Sequence, residues 1–213
     1  MSHPSRPLRT VAMLSGSGST LQNLLDRAKA GQLPIHVTRV ISSKPGVYGL
    51  TRAEQAGIAT STITRKSYDS WQDFNQALTD AVDAERPDII VLAGFLSLFW
   101  PGPAYAGRIF NVHPALIPAF CGKGMYGHHV HQAVIESGVK ITGCTVHFVD
   151  DQYDHGPIII QRALEVRDDD TPESLADRVQ ALEREALPEA IQLYAHNRLR
   201  IAGRRVLTLP ETP

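Results

Sequence analysis

Asn111 and His113 stand two residues apart in Asn111-Val-His-Pro-Ala-Leu-Ile-Pro118, at the end of the apolar segment Arg108-Ile-Phe. On an extended strand, positions two apart point to the same side. An amide and an imidazole would then share one space at a strand end, where open sheets commonly keep their sites. A donor amide beside a group able to gain a proton suits the stabilisation of an oxyanion. Polar residues at strand ends also cap neighbouring backbone, and these residues alone leave both readings open.

A second stretch with chemical potential is Ser15-Gly-Ser-Gly-Ser-Thr20. It follows the apolar run Thr10 to Leu14 and precedes Leu21-Gln-Asn-Leu-Leu-Asp-Arg-Ala, whose apolar spacing is helical. Strand, glycine-rich turn and helix together aim backbone N–H groups and the positive end of a helix at an anion. The stretch is neither the dinucleotide fingerprint nor a phosphate loop ending in Gly-Lys-Ser/Thr. A tight turn that needs glycine accounts for it equally well, although Ser17, Ser19 and Thr20 add hydroxyl donors suited to phosphate. His128, His129 and His131 raise the question of a metal. Helical metal pairs favour i, i+4 spacing and a further ligand, so no metal is expected.

These residues need a scaffold that presents strand ends. Further strands are expected at Ile35 to Ser42, Thr60 to Ile63, Ile89 to Ala93, Ile109 to Val112, Lys140 to Val149 and Ile158 to Val166. Helices are expected at Tyr48 to Ala56, Asp69 to Glu85, His128 to Ser137 and from Thr171-Pro172 onward, with Pro188 kinking the last. The helix from Asp69 carries Trp71, Phe74, Ala77, Leu78, Ala81 and Val82 roughly on one face, a pattern of core contact. Gly94 to Trp100 either lines a pocket or forms a packed connection. The glycine-rich loop Phe120 to His128 is an active-site lid or a plain surface insertion. Leu199 to Leu207 reads as a hairpin, with residues 1–9 and 208–213 as loose tails. Alternating strands and helices predict an α/β fold with a mostly parallel sheet in a single domain over 1–213, its core at about 10–201.

The 43% hydrophobic and 20% charged composition is ordinary for a globular chain, and a net charge of −1 gives no general pull towards nucleic acid. The first ten residues lack the apolar core of a signal peptide, and no run is long enough to span a membrane. Cys121 and Cys144 lack metal-type spacing and read as free thiols, which points to the cytoplasm.

Ser15-Gly-Ser-Gly-Ser-Thr-Leu-Gln-Asn-Leu, Val91-Leu-Ala-Gly-Phe, Asn111-Val-His-Pro, Gly143-Cys-Thr-Val-His-Phe-Val and Asp154-His-Gly-Pro occur in that order. With these motifs the chain resembles the folate-dependent formyltransferases from about Thr10 to Ile201, and within them the glycinamide ribonucleotide branch. The resemblance implies a Rossmann-like, twisted, mostly parallel sheet with helices on both faces. It implies transfer of the formyl group of 10-formyltetrahydrofolate, as co-substrate, to the glycine amine of 5-phosphoribosylglycinamide in purine biosynthesis. By the same resemblance Asn111, His113 and Asp154 are catalytic, with Asp154 raising the pKa of His113 and orienting it. Gly18, Ser19 and Thr20 would take the substrate phosphate, and Gln180 and Glu183 its glycinamide end. The folate would lie against Trp71, Leu96, Ser97, Leu98 and Phe99 and the loop Asp150, Asp151, Gln152, Tyr153 and Asp154, as well as Asn111. Trp71 stands where some relatives carry arginine near the folate tail, and Thr20 where many carry asparagine.

The partners implied are these small molecules alone, with no nucleic acid and no membrane, for a monomer or homodimer. Alternatives are a formyltetrahydrofolate deformylase, another folate-dependent formyltransferase, or a non-catalytic nucleotide-binding module using the glycine turn. The last would give Asn111, His113 and Asp154 no reason to converge.

Overall fold

The computed structural model describes residues 6–211, which fall into two compact units meeting in sequence at Phe110/Asn111. In the first unit, β1 (Leu8–Leu14), β2 (Ile35–Ser42), β3 (Ala59–Thr62) and β4 (Ile89–Leu92) form a parallel sheet in the order β3-β2-β1-β4. Val11 to Leu14 and Ile89 to Leu92 are buried throughout, as expected for central parallel strands covered on both faces. The helices α1 (Ser19–Lys29), α2 (Tyr48–Gln55) and α3 (Trp71–Asp83) supply the covering. α3 begins where the Ser70 hydroxyl accepts the Asp73 N–H at 3.0 Å, a side-chain N-cap. It buries Phe74, Leu78 and Val82, whereas Trp71 is 45% exposed and lies off the core stripe that its spacing suggested. The reason is its place in the first turn, where it packs edge-on against Phe74 and beneath the Arg65 guanidinium.

The second unit takes the end of β5 (Ile109–His113), then α4 (His128–Ser137), β6 (Ile141–Phe148), β7 (Ile158–Glu165), α5 (Pro172–Ala195), β8 (Leu199–Ala202) and β9 (Arg205–Thr208). Here pairing is mixed: β6–β7 and β8–β9 are antiparallel, and β7–β9 is parallel. β6 is buried from Thr142 to Phe148 and packs under α5. α5 starts in a reciprocal cap between Thr171 and Ser174 and continues through Pro188 for 24 residues.

At the ends of the chain the structure is more ordered than the sequence suggests. Leu8 and Arg9 already belong to β1, and Arg6 pairs with Asp88 at 2.6 Å. Leu209 donates its N–H to the Arg198 carbonyl at 2.7 Å. The rest of the expected tails, 1–5 and 212–213, lies outside the described residues.

Candidate active site

β5 ends in the alternating pair Asn111 and His113. Its last residue, His113, is 3% exposed, while Asn111 is half-buried. The His113 Nε2–H donates to the Phe120 carbonyl at 2.7 Å, and because a carbonyl only accepts, this fixes the proton on Nε2. Its other ring nitrogen, Nδ1, lies 3.5 Å from Asp154 Oδ2. Asp154 Oδ2 also accepts the Gly122 N–H at 2.9 Å.

Asp154 Oδ1 closes the other half of the cluster. It accepts from Asn111 Nδ2 at 3.4 Å and stands 3.8 Å from His147 Nε2. His147 donates Nδ1–H to the Phe148 carbonyl at 2.8 Å, which leaves Nε2 to accept from Asn111 Nδ2 at 3.1 Å. One carboxylate thus joins an amide, two imidazoles and a loop N–H.

The backbone behind this cluster is built to hold it. Thr145, two residues before His147 and on the same face of β6, donates its hydroxyl to the Ala115 carbonyl at 2.7 Å and accepts the Ile117 N–H at 3.1 Å. Gln161 donates to Thr145 Oγ1 and to the Ile117 carbonyl, both at 3.0 Å. The turn after His113 is therefore clamped from β6 and β7. The β6–β7 register shifts between Val146 and His147, a bulge of the kind that re-aims a side chain. Asp154 itself has φ 51°, a left-handed conformation uncommon for a residue with a side chain. Next to it, a Cβ on Gly156 would overlap the Phe148 carbonyl, so this loop fits against β6 only with glycine there.

Charge in the cluster runs differently from the sequence expectation. Burial pushes the His113 pKa down and outweighs the upward pull of Asp154 and of the Phe120 carbonyl, so the net position lies below 6.5. The expected rise is thus reversed, because His113 sits in a drier place than a strand end suggests. For Asp154 burial is again the largest influence and acts upward. The His147 contact, the His113 charge and the Gly122 N–H together outweigh it and hold the carboxyl below 3.8. At neutral pH the pair is an ionised carboxylate beside a neutral imidazole.

Glu183, on α5, is half-buried and its side chain makes no hydrogen bond with the other described residues; desolvation pushes its carboxyl up to about 7 against an opposing pull from Arg184. Gln180 lies one turn earlier on the same helix, and its neighbours Val179 and Ala186 are core.

In the first unit, the turn after β1 has a distinct construction. Gly18 caps α1 with φ 73°, and a Cβ there would come 2.6 Å from Gly49 Cα. Gly49 donates its N–H to the Gly16 carbonyl at 3.1 Å, and Arg52 Nε donates to the Ser17 carbonyl at 3.0 Å. The turn is thus held by α2, and Ser19 and Thr20 open α1, whose first-turn N–H groups have no acceptor within the helix.

Residues 8–191 match the formyl transferase family. The chain belongs to that family. It is 37% identical over 196 residues to phosphoribosylglycinamide formyltransferase of Escherichia coli K12, covering 91% of this chain and 90% of that one. It is 39% identical over 196 residues to the bovine trifunctional purine biosynthetic protein adenosine-3, of which it spans only 19%. The crystal structure of glycinamide ribonucleotide transformylase 1 from Symbiobacterium toebii superposes with a TM-score of 0.89 at 40% identity, covering 99% of this chain and 98% of that one. The α/β, largely parallel architecture is that of these formyl transferases.

Among the residues expected to meet folate, Leu96 is 39% exposed, Ser97 and Leu98 are half-buried, and Phe99 is 1% exposed with its ring in the core. The Leu96 N–H is held by the Ser15 hydroxyl at 3.0 Å, which fixes the start of that segment. Asp151 and Gln152 are exposed and Tyr153 is half-buried. Asp150 turns inward and accepts the Gln152 N–H at 3.0 Å. The three clustered histidines do separate things: His128 pairs with Glu173 at 2.8 Å, His129 stacks edge-on with Tyr126, and His131 is buried.

His147 and Thr145 were missed as site residues. The signal was present, since both fall on one face of a strand and lie in the Gly143-Cys-Thr-Val-His motif. The contacts from Phe120 and Gly122 come through backbone atoms and carry no residue-type signal at all.

Proposed function

We propose that this formyl transferase moves the formyl group of 10-formyltetrahydrofolate to the glycine amine of 5-phosphoribosylglycinamide, as a cytoplasmic enzyme of purine biosynthesis acting as a monomer or homodimer. The observation that carries this reading is the convergence of Asn111, His113 and Asp154, joined by His147, on one carboxylate.

The amine attacks the formyl carbon, and negative charge develops on the formyl oxygen. Asn111 N–H and His113 N–H are the donors for that oxygen. In the described state the Asn111 amide is bonded to His147 and Asp154, and His113 Nε2–H to Phe120. Substrate entry must therefore open the cluster, and the 3.4 Å Asn111–Asp154 contact is the longest of these three bonds and the easiest to exchange. The reaction moves one proton from the attacking amine to the folate nitrogen. Ionised Asp154 is the group to hold the water that carries it. As the oxyanion forms, its negative charge adds to that of Asp154 and strengthens the hydrogen bond that the His113 N–H donates to it.

Gly18, Ser19 and Thr20 take the phosphate through backbone N–H and hydroxyl groups. Gln180 and Glu183 take the glycinamide end, where a carboxyl near 7 can first pair with the ammonium and then accept its proton. The stretches proposed for folate are, in the first unit, Trp71 with Leu96, Ser97, Leu98 and Phe99 and, in the second unit, Asn111 with the loop Asp150 to Asp154.

The test is incubation with 10-formyltetrahydrofolate in the presence and absence of the ribonucleotide. Folate turnover that requires the ribonucleotide supports the transferase. Equal turnover without it makes the chain a deformylase.

A further inference from the structure

The loop that carries Asp154 is closed by side chains that take no part in the chemistry above. Asp150 uses both carboxylate oxygens. Oδ1 accepts the Gln152 N–H at 3.0 Å, and Oδ2 accepts from His155 Nδ1 at 2.7 Å. His155 is the next residue after Asp154, so this bond ties the two ends of the Asp150–His155 segment across its own turn. The far side of the His155 ring meets Arg204, whose Nη1 lies 2.7 Å from Nε2 and whose Nη2 donates to the His155 carbonyl at 2.8 Å. A guanidinium only donates, so Nε2 must accept, and the proton of the imidazole is fixed on Nδ1, facing Asp150. Arg204 therefore holds the ring, its tautomer and its backbone at once.

The register of the sheet explains why Arg204 arrives there. Ala202 pairs with Arg205 in the β8–β9 hairpin, so Gly203 and Arg204 form a two-residue turn, with glycine at φ 60° in its first position. Arg205 pairs in turn with Ile158, the first residue of β7, immediately after the loop. The hairpin tip is thereby anchored beside His155, and the preceding side chain reaches it.

What this closure fixes is the backbone around Asp154, the residue at φ 51°. An uncommon conformation persists only where its surroundings over-determine it. On one side Gly156 is pressed against the Phe148 carbonyl, and on the other Asp150 is bonded across the turn. We propose that Arg204, acting through His155 and Asp150, is a positioning residue of the formyl-transfer site, placed on the C-terminal hairpin to set the carboxylate of Asp154. The proposal rests on the reading of Asp154 given above.

In the full-length chain, Arg204→Ala is expected to lower kcat about tenfold, since misplacement of a reacting group by a fraction of an ångström has effects of this order. KM for 5-phosphoribosylglycinamide should stay within about twofold of the wild type. Amide exchange should quicken in residues 150–156 and not in α5. Arg204→Lys keeps the charge and one donor nitrogen but loses the two-nitrogen fork that serves Nε2 and the carbonyl together, and its kcat should fall between those of the wild type and Arg204→Ala. The double variant Arg204→Ala/His155→Ala should lose no more than the larger of the single losses, because both act through one chain of bonds. A wild-type kcat for Arg204→Ala, while Asp154→Asn abolishes turnover, would overturn the positioning role and leave the site reading intact. Near-normal turnover of Asp154→Asn would overturn both. Loss of folded protein in Arg204→Ala, with Arg204→Lys folded and fully active, would mark the contact as structural only and also overturn the proposal.

Discussion

The Gly18 turn and the Asp154 cluster solve opposite problems. The turn is made of backbone: a glycine in a left-handed conformation, two helix starts in close approach, and an arginine spent on a carbonyl. Its helix-start N–H groups have no acceptor inside the helix and point out of it. The cluster is made of side chains whose donors are already engaged, Asn111 with His147 and Asp154 and His113 with the Phe120 carbonyl. A preformed backbone site loses little on binding, so it suits affinity. A site whose donors must be released by substrate suits discrimination, since only the correct ligand repays the broken bonds. On the proposed function, the difference would assign KM mainly to the first region and kcat mainly to the second.

Substitutions can break that division. Asp154→Asn removes the carboxylate around which Asn111, His113, His147 and the Gly122 N–H are arranged and should cut kcat by about 10²–10⁴-fold, the range for loss of an acid–base group. KM for the ribonucleotide should move little, as steady-state kinetics would show. Gly18→Ala forces a Cβ to 2.6 Å from Gly49 Cα at φ 73°. It should raise that KM by about tenfold and destabilise the fold by about 1–3 kcal/mol, with a smaller effect on kcat, checked by denaturant melts alongside kinetics. A fall in kcat without a rise in KM would erase the distinction.

Glu183→Gln sharpens the comparison through pH. Burial raises the wild-type carboxyl from 4.5 to about 7, so the folded state favours the neutral acid. The contribution of Glu183 to stability is whole below about 4.5 and is lost as pH rises through about 7. Gln stays neutral, so the variant should lack that decline and be the more stable form at pH 8, by about 1–2 kcal/mol after allowance for solvent screening. Its turnover should nonetheless fall by about tenfold, reading stability and activity in opposite directions. Denaturation midpoints at pH 5 and pH 8 check the first half, and kcat the second.

Strand and helix positions were legible because they rest on local periodicity. Ile35–Ser42 and His128–Ser137 fall where their apolar spacing puts them. Asn111 and His113 were legible as a pair because a strand of period two places them together, and Asp154 only through resemblance, since no local pattern joins it to them. The antiparallel β6–β7 pairing was not legible, because the direction in which a strand pairs is not written in its own residues and Thr142 to Phe148 is buried on both faces. The lowered pKa of His113 was hidden for a related reason. The carboxylate partner can be guessed from sequence, but the depth of burial that overrides it depends on packing from elements distant in the chain. Arg204 was invisible as a contributor because only the hairpin register brings it to His155.

On the proposed function His113, despite its lowered pKa and its bond to Phe120, is the group that meets the developing oxyanion. The direct measurement is the steady-state rate of formyl transfer by His113→Ala, at saturating ribonucleotide and 10-formyltetrahydrofolate, on protein whose fold is verified by its melting curve. A loss of at least about 10²-fold in kcat, with the fold retained, is the predicted result. Turnover within a few-fold of the wild type would contradict it.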